Sequence, residues 1–119
     1  MKGSGTSGFT LIELLVTVAI IGVLSAILIP NLIAARHAAI DRSAQAYARN
    51  VYSVAVASLG RDAEDIATED CTGGYAAGRY SLDAPGAGIV VECEVELVDG
   101  NNMPTVTVTS TRDTVFELP

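Results

Sequence analysis

The distribution of apolar and polar positions divides the chain into three stretches. Residues 9–35 are apolar all round, with Glu13 as the one charged side chain and none at all over 14–35, about 22 residues against the roughly 20 that a helix needs to cross a bilayer. In residues 36–59 the two kinds of position separate. Ile40, Ala44, Tyr47, Ala48, Val51, Ala55 and Leu59 recur at spacings of three and four, forming a stripe that can bury against a sheet, while Arg42 and Arg49 share another face. Together these stretches predict one helix over 9–59, ended by Gly60. At roughly 75 Å it is far longer than a bilayer requires, so its second half is expected to stand outside the membrane. Pro30 removes a backbone donor and frees the carbonyl of Ala26. With Gly22, it marks where a kink or local loosening is expected.

After the helix the period changes to two. In Val91-Glu92-Cys93-Glu94-Val95-Glu96-Leu97 apolar residues alternate with glutamates, which predicts a strand with Val91, Cys93, Val95 and Leu97 on its inner face. Asp99-Gly100-Asn101-Asn102 turns the chain, residues 105–109 return with Val106 and Val108 inward, and Arg112-Asp113 turns it again before a strand over 114–118. Upstream, residues 61–70 read as an acidic connector, 71–78 as turn-rich coil and 79–82 as a short strand. The expected fold is α+β: a long N-terminal helix, its first half membrane-spanning and its second amphipathic, packed on a small antiparallel sheet of three to four strands.

Composition narrows the function. Fourteen Asp and Glu against seven Lys and Arg give a net charge of −7, which argues against direct binding of nucleic acid through phosphates. Length leaves room for one small domain of about 60 residues beyond the helix, marginal by itself and in need of the helix as a second layer. Cys71 and Cys93 lie in the part expected to be exported, where a disulfide is allowed. A bridge between them would contribute roughly 3 kcal/mol by restricting the unfolded chain; two free thiols are the alternative.

The N-terminus is the most specific feature. A secretory signal places its small-residue cleavage site after the apolar region; here Gly8 comes before it. Gly8-Phe9-Thr10-Leu11-Ile12-Glu13, followed by Leu14-Leu15-Val16 and an apolar helix reaching Pro30, resembles the N-terminus of type IV prepilins. The resemblance implies that a prepilin peptidase cuts between Gly8 and Phe9 and N-methylates Phe9. It also implies that Glu13 becomes the fifth mature residue, where the family keeps a glutamate, and that the helix around Gly22 and Pro30 can lose helicity when subunits pack. The domains expected on this basis are a cleaved leader over 1–8, a long helix over 9–59 with its transmembrane and assembly segment at 9–35, and a disulfide-stapled β domain over 60–119.

Two readings of Glu13 follow from the residues themselves. Thr10-x-x-Glu13 fits a helix capping box, in which the carboxylate reaches back to an unpaired amide. Alternatively, a carboxylate among Leu11, Ile12, Leu14 and Leu15 calls for a cationic partner. Once Lys2 has left with the leader, the chain has no lysine, so the available amine is that of Phe9 on a neighbouring copy. Other clusters carry less. His37 and Asp41 lie one turn apart with no nucleophile beside them, and Glu92, Glu94 and Glu96 read as the solvated face of a strand. Asp99-Gly100-Asn101-Asn102 lacks calcium-loop spacing, and Gly86-Ala87-Gly88 opens no helix that could cradle phosphate.

No catalytic, metal or cofactor site is expected. The function expected is a non-enzymatic structural subunit of a type IV pilus. It would be stored as a single-pass precursor in the inner membrane and polymerised by the pilus assembly machinery into an extracellular homo-oligomeric filament for motility, adhesion or DNA uptake. A pseudopilin of a type II secretion or competence system is the alternative within the same architecture, and a monomeric membrane-tethered binding module the alternative of another class.

Overall fold

The computed structural model describes residues 8–59, 69–98 and 103–119. The expected stop at Gly60, the connector over 61–68, the turn at 99–102 and most of the leader lie outside the described residues. Among the described residues one helix, α1, spans Leu11–Leu59, and six strands follow: β1 (Glu69–Asp70), β2 (Gly74–Ala77), β3 (Tyr80–Asp83), β4 (Val90–Val98), β5 (Met103–Ser110) and β6 (Val115–Leu118). The architecture is α+β. The chain divides into two compact units, Met1–Ala35 and Arg36–Pro119, so the second half of α1 belongs with the strands.

Within the second unit the helical stripe and the inner face of the sheet make a single core. Ala44, Tyr47, Ala48, Val51 and Ala55 pack with Cys71, Tyr75, Ala77, Cys93, Val95, Val106 and Val108, and Leu59, Leu97, Phe116 and Leu118 border them. Three alanines on the helix let the sheet approach closely, and the β-branched residues opposite fill a pleated surface well. Cys71 and Cys93 are joined by a disulfide with their Cα atoms 4.9 Å apart. Two polar links run from the helix to the rest of the unit: Tyr47 Oη donates to the Cys71 carbonyl (2.6 Å, buried), and Ser110 Oγ donates to Asp41 Oδ1 (2.9 Å, half-buried). Ser110 Oγ also accepts from the backbone amides of Arg112 and Thr114 (3.3 Å each), so one hydroxyl ties the β5–β6 turn to the helix.

The four-stranded antiparallel sheet runs β1-β4-β5-β6, and β2 pairs with β3 in a separate two-stranded sheet. The strand expected over 79–82 therefore exists, as Tyr80–Asp83, but outside the main sheet, whose fourth member is the two-residue β1. Glu69 and Asp70, expected as connector, pair with Val95 and Glu94, and the expected coil contains β2. Gly74 explains the second difference. At φ +112° it adopts a backbone conformation costly for other residues, and a Cβ there would come within 2.9 Å of the Leu82 carbonyl oxygen, so a glycine that looks like a turn permits a close pairing. Val91 is a further correction. The register shifts between Val90 and Glu92, so Val91 bulges and is 59% exposed while Val90 joins the core border.

Candidate membrane and assembly segment

The first half of α1 begins with a closed capping arrangement. Glu13 Oε2 accepts from the Thr10 amide (2.9 Å) and the Thr10 hydroxyl (2.8 Å), while Thr10 Oγ1 accepts from the Glu13 amide (3.3 Å). These are the reciprocal bonds of a capping box, so within a single chain the Glu13 carboxylate is satisfied locally. Two further polar side chains of the segment also return to its backbone. Thr17 Oγ1 donates to the Glu13 carbonyl (2.7 Å) and the Asn31 amide to the Ile27 carbonyl (3.1 Å). Sequence reasoning passed over Thr17 and Asn31. The signal that could have found them is that a polar group surrounded by apolar residues on a helix turns to the carbonyl one turn earlier.

Around this polar start everything is apolar and uncovered. The sixteen large apolar side chains between Phe9 and Ile33 are all 48% to 81% exposed, and α1 is long and apolar enough to cross a membrane. Side chains of this kind over several turns would form a contiguous patch far beyond what water tolerates. Two shallow grooves follow the segment, one along Phe9, Ile12, Glu13, Val16 and Thr17, the other wholly apolar along Leu15, Val16, Ala19, Ile20, Val23 and Leu24. A Cβ at Gly22 would meet nothing within 4 Å, so its lack of a side chain serves no packing inside this chain. The helix runs unbroken through Gly22 and Pro30. Gly8, Phe9, Glu13, Gly22 and Pro30 thus occupy one exposed stretch, whereas Cys71 and Cys93 are buried in the other unit.

Residues 4–29 match the family model described as the prokaryotic N-terminal methylation motif. The segment is type IV pilin-like. Over 40 residues the chain is 62% identical to the type IV wide pilus major component PilA4 of Thermus thermophilus. That stretch is 34% of this chain and spans only 30% of the relative's length, so the pilin likeness resides in the N-terminal segment. No solved structure matches the chain.

The chemistry that such a pilin-like segment can support is association rather than catalysis. Its one ionisable side chain already accepts two hydrogen bonds through a single oxygen, and its remaining surface offers apolar contact. Among the described residues, no group of three or more His, Cys, Asp or Glu is placed to hold a metal ion.

Proposed function

We propose that the protein is a structural subunit of a type IV pilus. Residues 9–35 hold the precursor in the inner membrane and then, after cleavage between Gly8 and Phe9 and N-methylation of Phe9, pack against the same segment of other copies in a filament. The observation that carries this reading is the uncovered apolar surface directly behind a methylation motif. A lipid bilayer and a bundle of like helices both supply what that surface lacks, and a subunit that passes from one to the other needs no new apolar face. Glu13 gives the transfer its register. In the bundle, the Phe9 amine of a neighbour offsets the cost of a carboxylate in an apolar surrounding only when two helices are staggered by about one turn. The second unit, stapled by Cys71–Cys93, is the part displayed outside the membrane, and its small core does not depend on filament contacts.

Electron microscopy of filaments sheared from cells, with mass spectrometry of the subunit, tests this. Long surface filaments containing a chain that starts at methylated Phe9 are expected. Intact Met1 in surface material contradicts the processing step, a fibre confined to the periplasm points to a pseudopilin, and a membrane monomer alone points to a tethered binding module.

A further inference from the structure

Between β1 and the β2–β3 hairpin lies an open groove of about 520 Å³, lined by Glu69, Asp70, Gly74, Tyr75, Leu82 and Asp83 among others. Its three carboxylates are exposed and form no ion pair among the described residues. Asp70 is held below the usual carboxylate range by the Thr72 hydroxyl and amide, so it is ionised across the physiological range. Tyr75 is only 3% exposed, and its hydroxyl has no hydrogen-bond partner among the described residues. The cluster is not arranged to hold a metal ion. A concave, anionic groove of this kind suits a longer cationic side chain, and a guanidinium can bond a carboxylate through two parallel N–H donors while others satisfy a neighbouring oxygen.

The same unit carries such a cation on another surface. Beyond residue 2 the chain has no lysine, only six arginines. Arg42 and Arg49 are exposed, and at seven residues apart they stand on one side of α1, about 10 Å from each other along the axis. At 100° per residue that side is opposite to Ala44, Ala48, Val51 and Ala55, which face the sheet. Neither arginine makes an ion pair among the described residues. Among the described residues, one surface has cations without counter-ions and another has anions without counter-ions. They are different patches of one domain, so contact between them is head-to-tail and continues from copy to copy rather than closing on a dimer.

We propose that the groove bordered by Glu69, Asp70 and Asp83 receives the Arg42/Arg49 face of a neighbouring copy, a second subunit contact made by the displayed domains. This rests on the filament reading, to which it adds a specific partner.

The test uses the full chain in cells. Copies bearing Arg42→Cys and one tag are expressed with copies bearing Asp83→Cys and another tag, and a short bis-maleimide cross-linker, which spans the length that the arginine side chain occupied and a direct disulfide cannot, is expected to give a dimer joining the two tags. With Asp113→Cys, on the β5–β6 turn, replacing Asp83→Cys, at least about tenfold less dimer is expected. No dimer, or equal dimer from the control, overturns the contact. In parallel, Arg42→Glu with Arg49→Glu is expected to lower sheared-filament yield by at least about tenfold, the order expected when close charge pairs are reversed. Glu69→Arg with Asp83→Arg in the same chain is expected to restore it. Normal yield from the arginine variants overturns the proposal, as does loss of yield from Arg61→Glu alone, which would mean that the groove is filled by its own chain. If the wild type forms no filaments, the filament reading fails by itself, and the cross-link in membranes still decides whether the groove is a contact between copies.

Discussion

The two halves of α1 are one continuous helix with opposite fates. Residues 11–35 hold most of the chain's leucines and isoleucines and leave them uncovered, whereas residues 36–59 are less apolar yet bury Ala44, Tyr47, Ala48, Val51 and Ala55 almost completely. Patterning, rather than total hydrophobicity, decides which half finds a partner in its own chain. A narrow stripe of small residues matches the flat inner face of a sheet, but an apolar surface on all sides cannot be covered by one small domain. It needs lipid or other helices.

The largest effect expected from breaking this contrast falls on the second half. Replacing both cysteines with serine removes the 22-residue closure of Cys71–Cys93 and should cost about 3 kcal/mol. In a thermal melt of the detergent-solubilised chain this appears as a lower midpoint, with retention in the membrane unchanged, because residues 9–35 take no part in that core.

A sharper comparison places one substitution in both halves. Ala48 is fully buried, so Ala48→Leu should destabilise by about 1–3 kcal/mol through overpacking. Ala19 is exposed in the apolar groove, and Ala19→Leu should shift the same melt by no more than about 0.5 kcal/mol. On the proposed filament reading, in which residues 9–35 pack against the same segment of other copies, filament yield should respond in the reverse order.

A smaller effect comes from pH. The Thr72 side chain and amide hold Asp70 below its usual range in the folded state, so the stability it contributes is present above its unfolded value near 3.8 and is lost as pH falls through the lower folded value. Thr72→Val should therefore flatten the acid limb of a melting-point profile. A profile still as steep as that of the wild type would mean that the Thr72 hydroxyl is not the cause.

Much of this was legible in the chain itself. A continuous apolar run and a stripe at spacings of three and four announce the helix and its two faces, and the alternation around Cys93 announces β4. What was illegible depended on distant partners. Two residues such as Glu69 and Asp70 carry no period and become a strand only because β4 offers an edge. Val91 continues the alternation perfectly, and only the register against β5 turns it outward. Ser110 is one more polar residue in a threonine-rich strand until Asp41 meets it across the layers. In the assembly segment, the capping box at Thr10 and Glu13 could be read from spacing, but whether Glu13 also serves a neighbour is a property of two chains, which no single sequence pattern encodes.

That question carries the central claim that the apolar half of α1 is set in register by a second copy. The decisive measurement is the yield of sheared filament from Glu13→Gln cells, with the subunit's N-terminus confirmed to be cleaved at Phe9. Glutamine keeps the shape and fills a capping box nearly as well as glutamate, but it cannot neutralise an amine. Register through the Phe9 amine predicts that the variant stays in the membrane, correctly processed, and forms filaments at a small fraction of the wild-type yield. Filaments at wild-type yield would contradict it and leave Glu13 as the cap that its bonds to Thr10 already make.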